Sequence, residues 1–253
     1  MGEPWVLLSF TPTEFGLLAV IIFVAGLVRG FSGFALSAIV MAMAATFMPP
    51  LQLIPVLWFQ EMAASLLMAR GGWRDADRKT VLLLVIGAWI GWPLGLTLTG
   101  MISVEASKMA ALGVILGLAV LLLSRVRMPG LDTGLGTALT GALSGLVSGI
   151  AHVGGMVVAL YVLSLGRAAR SMRGTLVLYL FVSAAGSLFI QSGFGVMTDV
   201  AVARGLGFVP ITLVGVWLGT KLFSPRWEPY YRPFCLSLLI LLAAAGLARL
   251  WLG

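Results

Sequence analysis

The sequence predicts an all-α, polytopic membrane protein of about ten helical segments, arranged as two inverted five-segment repeats. Three observations carry this. Of the 253 residues, 60% are apolar and only 10% are charged, whereas an average soluble domain carries about 25% charged residues. A globule of this size cannot cover its surface with so few charges, which excludes a soluble enzyme, a disordered chain and a nucleic-acid module. Apolar runs follow one another with short polar breaks, and a crossing takes about 20 residues. A glycine-rich interruption in the first half of the chain returns in the second half.

Taken in order, the expected segments are about 13–28, 34–48, 51–69, 80–100 and 107–123, then 134–149, 153–165, 174–191, 200–221 and 234–252. They divide the chain into a first transmembrane repeat, 1–123, a polar cytoplasmic linker, 124–133, and a second, inverted repeat, 134–253. The first, second and seventh segments are short. At about 1.5 Å per residue they fall below the roughly 30 Å hydrocarbon core, so some of them do not cross fully. No Lys or Arg precedes Arg29. A signal peptide needs a basic leading region, so the first segment is expected to be a retained span.

Basic residues test the order of segments through the positive-inside rule. If directions alternate, one side receives Arg29, Arg70, Arg74, Arg78, Lys79, Arg125, Arg127, Arg167, Arg170, Arg173, Lys221, Arg226 and Arg232, which are 13 of the 16 basic residues. Lys108, Arg204 and Arg249 fall on the other. The basic loops are then cytoplasmic, both termini are periplasmic, and the chain lies in the cell inner membrane. The net charge of +7 is a topology signal and implies no nucleic-acid partner.

The two interruptions align. Gly26-Leu-Val-Arg-Gly-Phe-Ser-Gly33 matches Gly145-Leu-Val-Ser-Gly-Ile-Ala-His152 at an offset of 119; Ser65-Leu66 matches Ser187-Leu188 at 122; Gly91, Leu94 and Gly95 match Gly215, Leu218 and Gly219 at 124. Five segments per repeat is an odd number, so the second copy enters from the opposite side. Inverted repeats of this kind build many secondary transporters, with the substrate near the midplane at paired broken helices. That criterion selects residues 28–35 and 147–156.

In the first break, Arg29 offers a planar fork of donors suited to carboxylate, sulfonate or phosphate oxygens. Gly30 and Gly33 let the backbone approach a ligand, and Ser32 adds a hydroxyl. Arg29 as an ordinary loop arginine is the other reading. In the second break, Ser148 stands where Arg29 does, flanked by Gly149 and Gly154, and His152 is the only histidine. His152 could donate to an anion, carry a proton, or simply be a satisfied histidine in an outer turn. Glu61 lies mid-helix beside Gln60. A charged carboxylate there costs about 2.5–3.5 kcal/mol, which makes it a candidate proton carrier or partner for Arg29, the alternative being a protonated structural residue. Gln191 and Arg204 are weaker candidates, and Trp5, Trp73, Trp227 and Trp251 fall near predicted interfaces. Cys235 is the one cysteine and is read as a packing residue. No metal site, phosphate-binding loop or cofactor is expected.

These stretches resemble a known family. GLVRGFSGF, followed by Pro49-Pro50, is similar to the first-repeat signature of the TauE/SafE sulfite exporter family. GALSGLVSGIAHVGG resembles its glycine-rich second-repeat stretch, and Arg173-Gly174-Thr175 resembles the motif opening its next helix. The chain departs from the family where a proline is usual, in Met156-Val157-Val158-Ala159-Leu160, and in carrying His152 inside a less glycine-dense break. The resemblance implies transport of small anions such as sulfite, sulfonates or related sulfur-containing acids. The expectation is a secondary transporter working by alternating access, with substrate held by Arg29, Gly30, Ser32, Gly33, Ser148, Gly149, His152 and Gly154, and with Glu61 and Gln60 in proton coupling. An anion channel and a membrane enzyme or assembly factor stay open; His152 with Glu61 is the only pair the latter could use. Expected partners are a small anion and the lipid bilayer, with a homodimer left open.

Overall fold

The computed structural model describes residues 10–124, 131–165, 169–222 and 228–252. These form ten α-helices: α1 Pro12–Ser32, α2 Leu36–Ala44, α3 Pro50–Gly72, α4 Arg78–Met101, α5 Val104–Leu123, α6 Gly134–Ala151, α7 Gly154–Ser164, α8 Ala169–Gly193, α9 Asp199–Leu222 and α10 Glu228–Leu252. Seven of them are long and apolar enough to cross a membrane, and the chain is an integral membrane protein. Most of the expected linker, with Arg125 and Arg127, lies outside the described residues, as do Glu3, Trp5, Arg167, Arg226 and Trp227.

Helix starts follow from local chemistry. Thr11 and Glu14 form a reciprocal capping box ahead of α1, with Pro12 in the first turn, so two otherwise orphaned N–H groups are satisfied. Asp77 caps α4 by accepting from the Lys79 and Thr80 amides at 3.1 and 3.2 Å. Ser103 caps α5 and Thr133 caps α6 in the same way.

The sequence places the first break too early. α1 runs through Arg29 and Gly30 to Ser32, and the chain leaves helical geometry only at Gly33, whose φ of +82° favours glycine. α1, at 21 residues, is therefore long enough to cross. Likewise Ser148 and Gly149 are helical, and the second break is confined to His152 and Val153, between α6 and α7. Gly30 does not interrupt its helix because its role is contact. A Cβ there would lie 2.9 Å from the Cα of Gly219 and 2.8 Å from the amide of Thr220, so only glycine lets α1 and α9 cross at this distance. α8 also begins earlier than expected and contains Gly174.

Packing is most extensive between α4 and α6, then between α1 and α9. Both crossings are glycine seams: Gly87, Gly91 and Gly95 face the α6 backbone, and Gly26 and Gly30 face Gly215 and Gly219. Small-residue faces give the close van der Waals contact that drives helix association in lipid. On the opposite face of α4, Leu82, Ile86, Ile90, Leu94 and Leu98 are exposed, as are Leu135, Leu139 and Leu143 of α6, an apolar perimeter suited to acyl chains. α3 and α8 pack together, and Trp58 Nε1 of α3 donates to the Ala184 carbonyl of α8 at 2.7 Å. α2 and α7, with 9 and 11 residues, are too short to cross and begin inside the bundle.

Candidate functional site

The two short helices start at one place. Phe34, Ala35, Ser37 and Ala38, at the start of α2, and Val153, Gly155 and Met156, at the start of α7, line a single cavity of about 40 Å³, completed by Glu61, Trp92, Ser148, His152 and the α8 face carrying Tyr179, Ser183 and Ser187. A site needs roughly 10–15 Å³ of such volume per water, so this one suits about three waters or one compact oxyanion. Both helix starts lack a side-chain cap from their own N-cap residues, Ala35 and Val153. Helix N-termini carry free N–H groups and partial positive charge, and they attract anions.

The first of the two termini already holds a carboxylate. Glu61 Oε1 accepts from the Ser37 amide at 3.3 Å and from Ser37 Oγ at 2.8 Å, so α3 supplies the cap that α2 lacks. Glu61 Oε2 lies 3.2 Å from Arg29 Nε. Arg29 is fully buried. Its two terminal nitrogens donate to the Gly33 carbonyl and to Ser65 Oγ, the latter at 3.1 Å. From α8, Arg173 donates to the Gly30 carbonyl at 3.1 Å. Arg29 thus stands behind Glu61 and is not among the residues that line the cavity.

The second terminus has no carboxylate. Ser148 and Ser183 occupy, at the sequence offsets 119 and 122, the places of Arg29 and Glu61, and both line the cavity. His152, φ +55°, caps α6 as Gly33 caps α1; each donates its amide to the carbonyl four residues back, Ser148 and Arg29 respectively. Histidine adopts this left-handed geometry more readily than most side chains. Two buried ring nitrogens of residues lining this end have no hydrogen-bond partner among the described residues: Trp92 Nε1, a donor, and His152 Nδ1, a donor in one tautomer. The rings meet edge to face at 5.4 Å. Leaving a buried donor unsatisfied costs about 1–3 kcal/mol.

Of the residues singled out from sequence, Glu61, Ser148 and His152 come together at the cavity. Gly30 packs on α9, Gly149 on Gly95 and Leu96, and Gly154 on Ser144 and Ser148. Ser32 Oγ closes the turn by donating to the Phe34 carbonyl at 2.7 Å. Gln60 ties α3 to α9, donating to the Gly205 carbonyl at 2.7 Å and accepting from Thr212 Oγ1 at 2.6 Å. Arg204 bonds Gln52 and lies over the Phe10 ring. Trp92, Ser37, Tyr179, Ser183 and Ser187 were not foreseen. The spacing of four through Tyr179, Ser183, Ser187 and Gln191 marks one polar face of α8 and was visible in the sequence. Nothing comparable marked Trp92.

A profile of the family described as Sulfite exporter TauE/SafE matches residues 18–246. The chain belongs to the TauE/SafE sulfite exporter family. This makes it a membrane transporter and agrees with the resemblance carried by the two glycine-rich stretches. Searches of curated proteins and of solved structures give no significant match. Glu61 and His152 share the cavity, so distance does not exclude an enzymatic pair; family membership is what favours transport over catalysis.

Proposed function

We propose that this TauE/SafE protein carries a small sulfur-containing anion, sulfite or a compact relative, across the cell inner membrane by alternating access. The observation that carries the reading is the cavity at the start of α7, where two buried ring nitrogens without partners, Trp92 Nε1 and His152 Nδ1, lie in residues lining the space beside an uncapped helix N-terminus. The anion lies against the α7 terminus as the Glu61 carboxylate lies against that of α2. Ser148 and Ser183 add hydroxyls, and Arg29 acts through Glu61. A volume near 40 Å³ favours an inorganic oxyanion over a long sulfonate.

The packing supports two inverted repeats, 1–123 and 134–253. α1 crosses α9 as α6 crosses α4; α3 meets α8, and α5 meets α10. These are the pairings a twofold axis in the membrane plane produces when first and fourth segments exchange partners. In this arrangement the basic loops face the cytoplasm and both termini the periplasm. Movement of the two broken-helix pairs against the rest opens the cavity to each side in turn.

Counterflow in proteoliposomes tests the reading. A carrier preloaded with unlabelled sulfite or thiosulfate accelerates uptake of labelled anion. Steady current without accelerated exchange identifies a channel, and no exchange with sulfite, thiosulfate, methanesulfonate or acetate sinks the transport site.

A further inference from the structure

The cavity holds a negative charge where an anion should enter. Glu61 is the only acidic side chain among the buried polar residues described. It faces the cavity, and its charge is balanced by Arg29, which is fully buried, lies outside the cavity lining and also donates to the Gly33 carbonyl and Ser65 Oγ. An anion arriving beside this pair meets a carboxylate of like sign, and the buried guanidinium is not free to receive it. Displacing Glu61 without protonating it would leave two negative groups around one positive group in a space screened from water, which disfavours both.

We propose that anion loading is linked to protonation of Glu61, so that the carrier moves a proton and an anion together. This rests on the transport reading above. The proton goes to Oε2, the oxygen next to Arg29 that lacks a hydrogen-bond partner. Oε1 keeps its two bonds from Ser37. Once Glu61 is neutral, Arg29 loses its counter-charge and the anion supplies it across the cavity. When the site opens to the other side, the anion leaves, Glu61 gives up its proton, and the ion pair with Arg29 reforms. One proton then accompanies each anion carried, whatever the charge of that anion.

The other ionisable groups near Glu61 are few. Arg29 approaches from α1, His152 from the end of α6, and Tyr179 from α8, where its hydroxyl is bonded to Ser144. Arg173 of α8 bonds the Gly30 carbonyl behind Arg29. α2 contains no ionisable side chain, and Tyr161 of α7 is bonded to Thr137, away from the cavity. Of the charged residues on α4, α5 and α9, none lines the cavity. His152 is the one rival carrier of the proton.

Thiosulfate is the probe, because its own charge is fixed across neutral pH. Wild-type protein is reconstituted in vesicles containing a pH-sensitive dye. Thiosulfate influx should acidify the lumen, and apparent affinity should rise by up to about tenfold per unit fall in pH. In Glu61→Gln the residual anion flux should carry no protons and lose its pH dependence, whereas in His152→Asn the residual flux should still acidify. Wild-type influx without acidification overturns the inference, as does acidification that survives Glu61→Gln or disappears in His152→Asn. If Glu61→Gln does not fold, the Arg29→Met/Glu61→Gln double variant takes its place and is read in the same way. Counterflow without proton movement refutes only the coupling; absence of counterflow with every anion refutes the transport reading as well.

Discussion

Arg29→Met and Glu61→Gln, made singly and together, should show that the ion pair is a matched burial of charge. Arg29 is fully buried, and the Glu61 side chain is 8% exposed. Removing one partner leaves the other as an uncompensated charge inside the bundle, which costs about 3–5 kcal/mol. For a chain of this size about 1 kcal/mol corresponds to roughly 2–4 °C in Tm, so each single variant should melt roughly 6–20 °C below wild type. Glu61→Gln keeps an acceptor for Ser37 and therefore isolates the charge. The double variant buries neither charge. Since well-packed neutral replacements of buried pairs are often close to neutral in stability, it should recover most of the loss. Thermal unfolding in detergent, followed by size-exclusion chromatography, reads the whole cycle. Strictly additive losses would refute the reasoning, as would either single variant melting within about 4 °C of wild type, roughly 1–2 kcal/mol on the same scale.

Four further outcomes are expected. Trp92→Phe keeps the ring but removes Nε1; a hydrogen bond to a charged group contributes about 1.5–3 kcal/mol, so anion affinity should fall roughly 10- to 100-fold with a much smaller change in Tm, measured by thermal-shift titration. Gly91→Val should abolish recovery of folded protein on size exclusion, because a Cβ there meets the Ala142 carbonyl and lies 2.7 Å from the Leu146 amide. Gly117→Ala, with nothing within 4 Å, should raise Tm slightly through helix propensity, by at most about 1 kcal/mol. Fused to the C-terminus, alkaline phosphatase should be active and green fluorescent protein dark; the reverse pattern would overturn the proposed orientation.

Hydropathy and charge made the helices legible, because crossing a bilayer demands long apolar runs bounded by polar residues. The glycine seams were legible only as motifs. Gly26-Leu-Val-Arg-Gly reads equally as a broken helix or as a close crossing, and the difference lies in α9, whose Gly219 approaches Gly30 from nearly 190 positions away. That long-range contact keeps α1 helical through Arg29 and moves the break to Gly33. The same limit applies to Arg29. A guanidinium near a glycine pair signals anion chemistry, yet which anion it meets depends on where α3 places Glu61. Trp92 was invisible for another reason: a tryptophan within an apolar helix is ordinary in a membrane protein, and only the fold brings it to the cavity lining with Nε1 buried and unbonded.

The value of the two glycine-rich stretches lies in how they differ. Gly33 and His152 terminate their helices with the same left-handed residue and the same amide bond, so the scaffold offers two equivalent helix N-termini to one cavity. At the first, Arg29 and Glu61 fill the position with an internal charge pair. At the second, Ser148 and Ser183 stand in their places and the donors of His152 and Trp92 are left over. A symmetric pair of open termini would attract two anions that repel each other. On the proposed function, occupying one terminus with a tethered carboxylate would reserve the other for the substrate. The tethered group also senses the charge of whatever arrives, because both lie in the same small volume. If the proposed function holds, the departure from a glycine-dense second break has a use: a Gly at 152 would preserve the left-handed turn while removing an imidazole that lines the cavity.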